Sequence, residues 1–339
     1  MAKRRLSQQQ RRRIAEQRAR KKEAAAAELP AINDSELGEL CPGRIKAHFG
    51  TQVQVEGDQQ SQRCHFRANL SLATGDRVQW RPGPETGVVE LIEPRVSEIQ
   101  RPDIYGKMRT VAANVTRLMI TVAAEPEAHG NLIDRYLVAA SLHALKPTIL
   151  LNKAELLDDD SPARTLLTRY QQLGYDTLEV SAHNGQGLDA LRERLKDEIS
   201  IFVGQSGVGK SSLVKTLLPE EVIRIGELSD AAAKGRHTTT HSELFDFPFG
   251  GACVDSPGIR EFGLWHASED DVLRGFPEIE RAAGHCRFRD CRHQGEPGCA
   301  IIAAVDNGDV LPERFASYEQ ICAQLDDVTI QPTHGDTPL

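Results

Sequence analysis

One eight-residue run constrains this chain more than any other. Residues 204–211 read Gly204-Gln205-Ser206-Gly207-Val208-Gly209-Lys210-Ser211, the G-x-x-x-x-G-K-[ST] pattern. Ile201–Val203 reads as a strand end before it, and Ser211–Leu218 opens a helix after it. Glycines let such a loop turn so that successive backbone N–H groups converge on phosphate oxygens. The helix N-terminus adds its partial positive charge. Lys210 is then placed to bridge β- and γ-phosphates, and the Ser211 hydroxyl to ligate Mg²⁺. The expected phosphate-binding set runs from Gly204 through Ser212. A strand–loop–helix of this kind commits the surrounding chain to an α/β sheet.

The flanking sequence agrees. Between about 110 and 265, apolar runs (117–123, 148–151, 177–180, 199–203, 242–247 and 252–254) alternate with helical patterns at 132–145, 163–173, 188–197 and 211–218. That alternation implies βαβ units and a mostly parallel sheet covered by helices. Residues 40–96 differ. Five short alternating runs are punctuated by Gly50, Gly57-Asp58, Gly75-Asp76 and Pro82-Gly83-Pro84. Such spacing suggests a small β-barrel of the OB type, although an SH3-like barrel reads much the same. The chain divides into a basic arm and linker (1–39), the barrel (40–98), the α/β domain (99–265), a mostly helical Cys/His domain (266–325) and a tail (326–339).

A phosphate loop specifies a nucleoside triphosphate, not its base. Asn152-Lys153-Ala154-Glu155 follows the apolar run 148–151 and resembles the N-K-x-D element of GTPases. There an acid accepts hydrogen bonds from guanine N1–H and N2–H₂, a donor pair adenine does not offer. Glu155 stands where aspartate is usual. Ser181-Ala182 follows the next strand and resembles the S-A loop that contacts guanine O6. After the phosphate loop come Gly235-Arg236-His237-Thr238-Thr239-Thr240, a first-switch candidate, and Asp255-Ser256-Pro257-Gly258, a D-x-x-G element. Asp255 is expected to reach Mg²⁺ through water and Gly258 N–H to meet the γ-phosphate. Thr238 or Thr239 completes the magnesium shell, with Thr239 taken here beside Ser211 and Asp255. All the elements of a G domain are present, with the base-reading pair first. Joining old termini and opening an exposed loop gives that circularly permuted order without changing the strands' neighbours.

Cys286, Cys291, His293 and Cys299 form C-x4-C-x-H-x5-C. Four borderline-soft ligands within fourteen residues suit one tetrahedral, structural Zn²⁺. His285 is the rival ligand, but its adjacency to Cys286 strains joint ligation. The chance reading is a cluster of buried thiols. Cys41, Cys64, Cys253 and Cys322 are expected as core thiols. No stretch reaches the roughly 18 apolar residues of a membrane helix, and no apolar run follows the basic N-terminus, so a cytoplasmic protein is expected. The formal net charge of -8 conceals ten Lys or Arg between residues 3 and 22 against one acid, Glu16. A basic arm on an acidic body points to a polyanionic partner, against the alternative of a solvated tail.

The permuted order, the barrel before it and the Cys/His module after it together resemble the ribosome small-subunit-dependent GTPase A family, the YjeQ-like GTPases of bacteria, over roughly residues 40–325. The resemblance implies an OB-fold, a permuted G domain and a zinc domain. It also implies GTP hydrolysis to GDP stimulated by the small ribosomal subunit, late in that subunit's maturation, with rRNA contact. A monomer is expected. Ile259 stands where many GTPases carry a water-orienting glutamine. Slow intrinsic hydrolysis follows, with His237 or a ribosomal group positioning water. Lys210, Asp255 and His237 are the catalytic candidates. The competing readings are a non-enzymatic RNA-binding scaffold with a nucleotide-bound G domain and an ATP-using P-loop enzyme.

Overall fold

The structure is a computed structural model that describes residues 34–58, 60–103, 106–219, 242–255, 263–264 and 267–325. Its first five strands are β1 (Cys41–His48), β2 (Val53–Glu56), β3 (Ser61–Phe66), β4 (Arg77–Arg81) and β5 (Gly87–Ile92). They pair in the order β1-β2-β3-β5-β4, and β4 returns to β1, so the sheet closes. β3 and β5 run parallel, and every other pairing in the ring is antiparallel. This is the five-stranded OB arrangement. Alternate residues point inward: Ile45, Val53, Val55, Cys64, Val78, Trp80 and Val89 fill the interior. A closed barrel removes most of the edges that would otherwise invite pairing with another chain.

A hairpin that the sequence reading did not anticipate follows, β6 (Glu98–Pro102) with β7 (Met108–Ala113). The chain then enters a second sheet built from β8 (Arg117–Val122), β9 (Lys146–Leu151), β10 (Asp176–Glu179), β11 (Ile199–Val203), β12 (Glu243–Asp246) and β13 (Ala252–Asp255). Its order is β10-β9-β8-β11-β13-β12. All neighbours are parallel except β12 against β13. The helices α1 (Gly130–Leu142), α2 (Pro162–Gln172), α3 (Leu188–Leu195) and α4 (Lys210–Leu217) connect these strands.

Both sheet faces are covered, which is why the central strands read as continuous apolar runs. In β8, Leu118, Ile120 and Val122 face one core with Ile133, Leu137 and Tyr170. Met119 faces the other with Leu191, Leu195, Leu213 and Leu217. The first core does not stop at the α/β domain. It continues through Phe276, Ile279, Ile301, Tyr318 and Ile321 of the C-terminal helices α5 (Glu269–Arg274), α6 (Pro277–Ala283), α7 (Ala300–Asp306) and α8 (Pro312–Leu325). Helix α5 starts on a capping box, in which Ser268 and Asp271 satisfy each other's backbone N–H.

The barrel is also sewn to the α/β sheet. Ala47 of β1 pairs with Glu243 of β12. Arg44 donates to Asp246 at 2.5 Å, Lys46 pairs with the same carboxylate, and Thr74 Oγ1 donates to the Ser242 carbonyl at 2.9 Å. Of the four scattered cysteines, Cys64 and Cys253 are buried as expected, whereas Cys41 and Cys322 are only partly covered. Burial pushes the Cys64 thiol up to about 12, so it stays protonated and inert.

Candidate functional site

The parallel strands bring their C-terminal ends to one edge. Register fixes this: Val203 lies beside Ile120, Val122 beside Leu151, and Leu151 beside Glu179. The loops after β11, β8, β9 and β10 therefore converge, as the strand ends of open α/β sheets do around ligands.

The loop after β11 is a phosphate cradle. Gly204, Gly207 and Gly209 take φ of 134°, 88° and 90°. At Gly204 space as well as φ excludes a side chain, since a Cβ would stand 2.1 Å from the Thr121 carbonyl oxygen. Gly209 precedes α4, whose first turn carries Lys210, Ser211 and Ser212. A cavity of about 520 Å³ is lined by Gly204, Ser206, Gly207, Gly209, Lys210, Ser211 and Ser212. Lys210 Nζ donates to the carbonyls of Gly204 and Gln205, each at 2.7 Å, which holds the ammonium over the loop. Val208 faces inward and is buried. The cradle combines a lysine cation, a helix N-terminus and exposed hydroxyls, the chemistry that binds a polyphosphate and a hydrated dication.

The base-reading candidates sit beside it. Asn152 is almost wholly buried at 1% exposure. Its Nδ2 donates to the Val208 carbonyl at 2.9 Å, and its Oδ1 accepts from Ala182 N–H at 3.4 Å. One side chain thus braces the phosphate loop and the Ser181-Ala182 loop together. Lys153 turns the chain at φ 63° and donates through Nζ to the Glu125 carbonyl at 2.7 Å. Ala154 N–H reaches the Val180 carbonyl at 3.1 Å. Ser181 is fully buried and accepts from the N–H groups of His183 and Asn184 at 3.2 and 3.1 Å. Its hydroxyl also bonds the exposed Glu155 carboxylate. That bond is the main reason the Glu155 carboxyl is held below its ordinary range; its own backbone N–H, then His183 and Lys153, add to it against desolvation. The glutamate is anchored and ionised, able to accept a pair of donors from a ring edge.

Asp255 ends β13 at the same sheet edge, exposed and opposite Glu243. Burial raises the Glu243 carboxyl, and the Asp255 charge raises it further against the pull of Lys46. His237, Thr238, Thr239, Thr240, Gly258 and Ile259 lie outside the described residues, as do the basic arm and the tail.

Away from this edge, Cys286, Cys291, His293 and Cys299 come together, with their ligand atoms all within 4.8 Å of one another. His293 Nδ1 is 3.6 Å from the sulfurs of both Cys286 and Cys299. Tetrahedral bonds of about 2.3 Å to sulfur and 2.0–2.1 Å to nitrogen place such atoms about 3.6 Å apart. The Ala300 N–H donates to Cys286 Sγ at 3.4 Å, which suits a thiolate. His293 holds φ 63°, unusual for a residue with a side chain, and the cluster is where that strain has a purpose. His285 is not part of the group. The donor set fits one tetrahedral, borderline-soft dication with no position left for water.

Comparison with known proteins places the chain. The RsgA GTPase family model matches residues 92–265. The chain belongs to the RsgA GTPase family. It is 50% identical to the small ribosomal subunit biogenesis GTPase RsgA of Saccharophagus degradans, over 98% of this chain and 100% of that protein. It is 52% identical to the protein of that name from Pseudomonas aeruginosa (strain UCBPP-PA14), over 96% and 98%. Among solved structures, YjeQ from Thermotoga maritima superposes with a TM-score of 0.71 at 30% identity, covering 85% of this chain and 99% of that one. YloQ, a circularly permuted GTPase, superposes at 0.68 with 24% identity over 86% and 97%, a likeness of fold. The α/β domain with a barrel before it and a helical domain after it is therefore a fold that this chain shares with those solved structures.

Sequence reasoning missed one group. Asp134, Tyr170, Glu278 and Arg314 form a buried cluster where α1, α2, α6 and α8 meet. Its only local signal is a charge at an apolar helix position, which identifies no partner.

Proposed function

We propose that this protein hydrolyses GTP to GDP and phosphate as a checkpoint in late maturation of the small ribosomal subunit, that the subunit stimulates it, and that it works as a cytoplasmic monomer touching rRNA. The observation that carries the reading is the bracing of the phosphate loop and both base-reading loops by Asn152 at one sheet edge. The names borne by its relatives support the subunit as partner. No helix among the described residues is long and apolar enough to cross a membrane.

In this reading the backbone of Gly204–Ser212 wraps the phosphates, and Lys210 supplies countercharge to the β- and γ-oxygens. Glu155 accepts from guanine N1–H and N2–H₂, with Ser181 fixing its orientation and Ala182 meeting O6. Lys153 covers the purine, and Asn152 shapes its site. Ser211, Asp255 through water, and Thr239 would hold Mg²⁺, which neutralises charge developing on the phosphates. Gly258 N–H meets the γ-phosphate. His237, or a group of the subunit, orients the attacking water, since Ile259 has no donor or acceptor for it. Cys286, Cys291, His293 and Cys299 would hold one Zn²⁺ per chain, which would serve as a structural tie. The basic arm at residues 3–22 neutralises rRNA phosphates.

The test is GTP turnover measured with and without purified small ribosomal subunits. Stimulation should appear mainly in kcat, because ordering the site is a matter of positioning. Lys210→Ala should abolish turnover in both arms. Free protein that is as fast as subunit-bound protein would overturn the checkpoint reading, and an active Lys210→Ala would overturn the site.

A further inference from the structure

Helix α1 is held on two sides by groups from different parts of the fold. On its outer side, Asp134 is 2% exposed, and its Oδ1 lies 2.5 Å from both Arg314 Nη1 and the Tyr170 hydroxyl. Arg314, on α8 of the metal-cluster domain, also donates through Nε to Glu278 at 2.6 Å and packs its guanidinium over the Phe276 ring at 4.2 Å. Asn131 reaches Ser317 at 3.0 Å and Arg135 reaches Gln324 at 2.5 Å, both on α8. Gly275, at the end of α5, lies so close to α1 that a Cβ there would stand 2.6 Å from the Val138 Cα.

On its inner side the same helix meets the nucleotide loops. Tyr136 is nearly buried; burial raises its hydroxyl, and the backbone of Gly204, facing it, works against that rise. The segment leading into α1 is wedged between two loops. The Glu125 carbonyl accepts from Lys153 Nζ, and Pro126 lies against Gly207, where a Cβ would meet its Cδ at 3.5 Å. Any rotation of α1 about its axis therefore displaces contacts to the phosphate loop, and any slide displaces Lys153.

We propose that Asp134 and Arg314 are positioning residues for the nucleotide site: their buried pair fixes α1 against the metal-cluster domain, and α1 in turn holds Gly204 and Lys153. A buried ion pair suits this role better than apolar packing. It adds little net stability, yet its directional bonds define one register where greasy contacts allow several. A partner that shifts α8 thereby reaches the nucleotide without touching it, through one element with contacts at both sites. The inference rests on nucleotide binding at the site proposed above.

The test uses the full chain with Asp134→Asn, which keeps shape and cancels charge, Arg314→Met, and Tyr136→Phe, which removes only a hydroxyl. Affinity for fluorescently labelled GDP and hydrogen exchange of the 204–212 amides are read beside thermal midpoint and metal content. Asp134→Asn and Arg314→Met should each weaken GDP about fivefold or more. Both should speed exchange in 204–212 as well as in the C-terminal helices. Tyr136→Phe should weaken GDP in the same direction with the thermal midpoint of the parent. Glu313→Gln, exposed on the same helix α8, should match the parent in both readouts. GDP affinity within about twofold of the parent in both Asp134→Asn and Tyr136→Phe, with faster exchange confined to 267–325, would overturn the coupling. Should Arg314→Met fail to fold, those two variants still decide the matter. A parent chain that binds no GDP would instead remove the nucleotide-site reading itself, which separates the two failures.

Discussion

Asn152→Ala isolates the brace between the phosphate loop and the base-reading loops. The side chain is 1% exposed and makes two bonds, to Val208 O at 2.9 Å and from Ala182 N–H at 3.4 Å. The first is short and buried, so truncation leaves the Val208 carbonyl without its donor. Leaving such a group unsatisfied costs about 1–3 kcal/mol, and the longer second bond adds less. A total near 2 kcal/mol is a sizeable part of the roughly 5–15 kcal/mol that holds a domain folded. If the loss falls on the nucleotide-bound arrangement, about 2 kcal/mol corresponds to some 30-fold in Kd. Asn152→Asp should be worse at equal volume, because it sets a carboxylate oxygen against the Val208 carbonyl. The assay is titration with fluorescently labelled GDP, paired with urea unfolding to separate affinity from stability. GDP affinity equal to the parent in both variants would refute the brace, whatever happened to the unfolding midpoint.

Three further outcomes are expected. Glu155→Asn should weaken GTP about 10–100-fold, the worth of one or two hydrogen bonds to a charged acceptor, and improve xanthosine triphosphate. Nucleotide competition checks this, and an unchanged base preference would mean that Glu155 does not read the base. Metal analysis should find about one zinc per chain, and chelation should raise amide exchange across 286–299. A metal-free protein with freely reactive thiols at Cys286, Cys291 and Cys299 would refute the site. The seam between barrel and α/β sheet should weaken in acid: although burial opposes it, Lys46 and then Arg44 hold the Asp246 carboxyl below its ordinary range. A depressed carboxylate contributes its stability in full above the unfolded value of about 3.9 and loses it as pH falls through the folded value. The thermal midpoint should accordingly drop more steeply below about pH 4 in the parent than in Asp246→Asn.

What could be read from the sequence was local, and what could not was set by contacts between distant residues. Gly204–Ser211 was legible because strand, turn, lysine and hydroxyl are fixed within eight residues. Asn152 and Ser181 were legible because each lies just past the end of a strand, β9 or β10, and those ends are in register. The ligand cluster was legible because Cys286, Cys291, His293 and Cys299 span fourteen residues. The barrel strands could be located, but not the parallel pairing of β3 with β5 that distinguishes the OB topology, because nothing in either strand encodes its partner. The β6–β7 hairpin escaped for a similar reason. Glu98–Pro102 and Met108–Ala113 are short and carry no clean alternation, and they are fixed by Asn114 on Val96 and by the bridge from Thr74 to Ala112. Arg314 pairs with Asp134 across 180 residues, far beyond any pattern of helical spacing.

Permutation changes which elements the appended domains can grip. The chain runs out of the α/β sheet directly from β13 toward the C-terminal helices and enters it through the β6–β7 hairpin beside the barrel. Domains attached only by linkers would rotate freely. Here each returns to the sheet by a different route. The barrel pairs β1 with β12, the strand that the proposed first-switch segment leads into. The Cys/His domain clasps α1, the helix that follows the loop beneath Lys153. The two seams lie on opposite flanks of the phosphate loop strand, since β12 is reached through β13 and α1 follows β8, the two neighbours of β11. An RNA surface that bound barrel and C-terminal domain together would load both seams at once, and among the described residues the strands between them, β8, β11 and β13, include the one that leads into the phosphate loop.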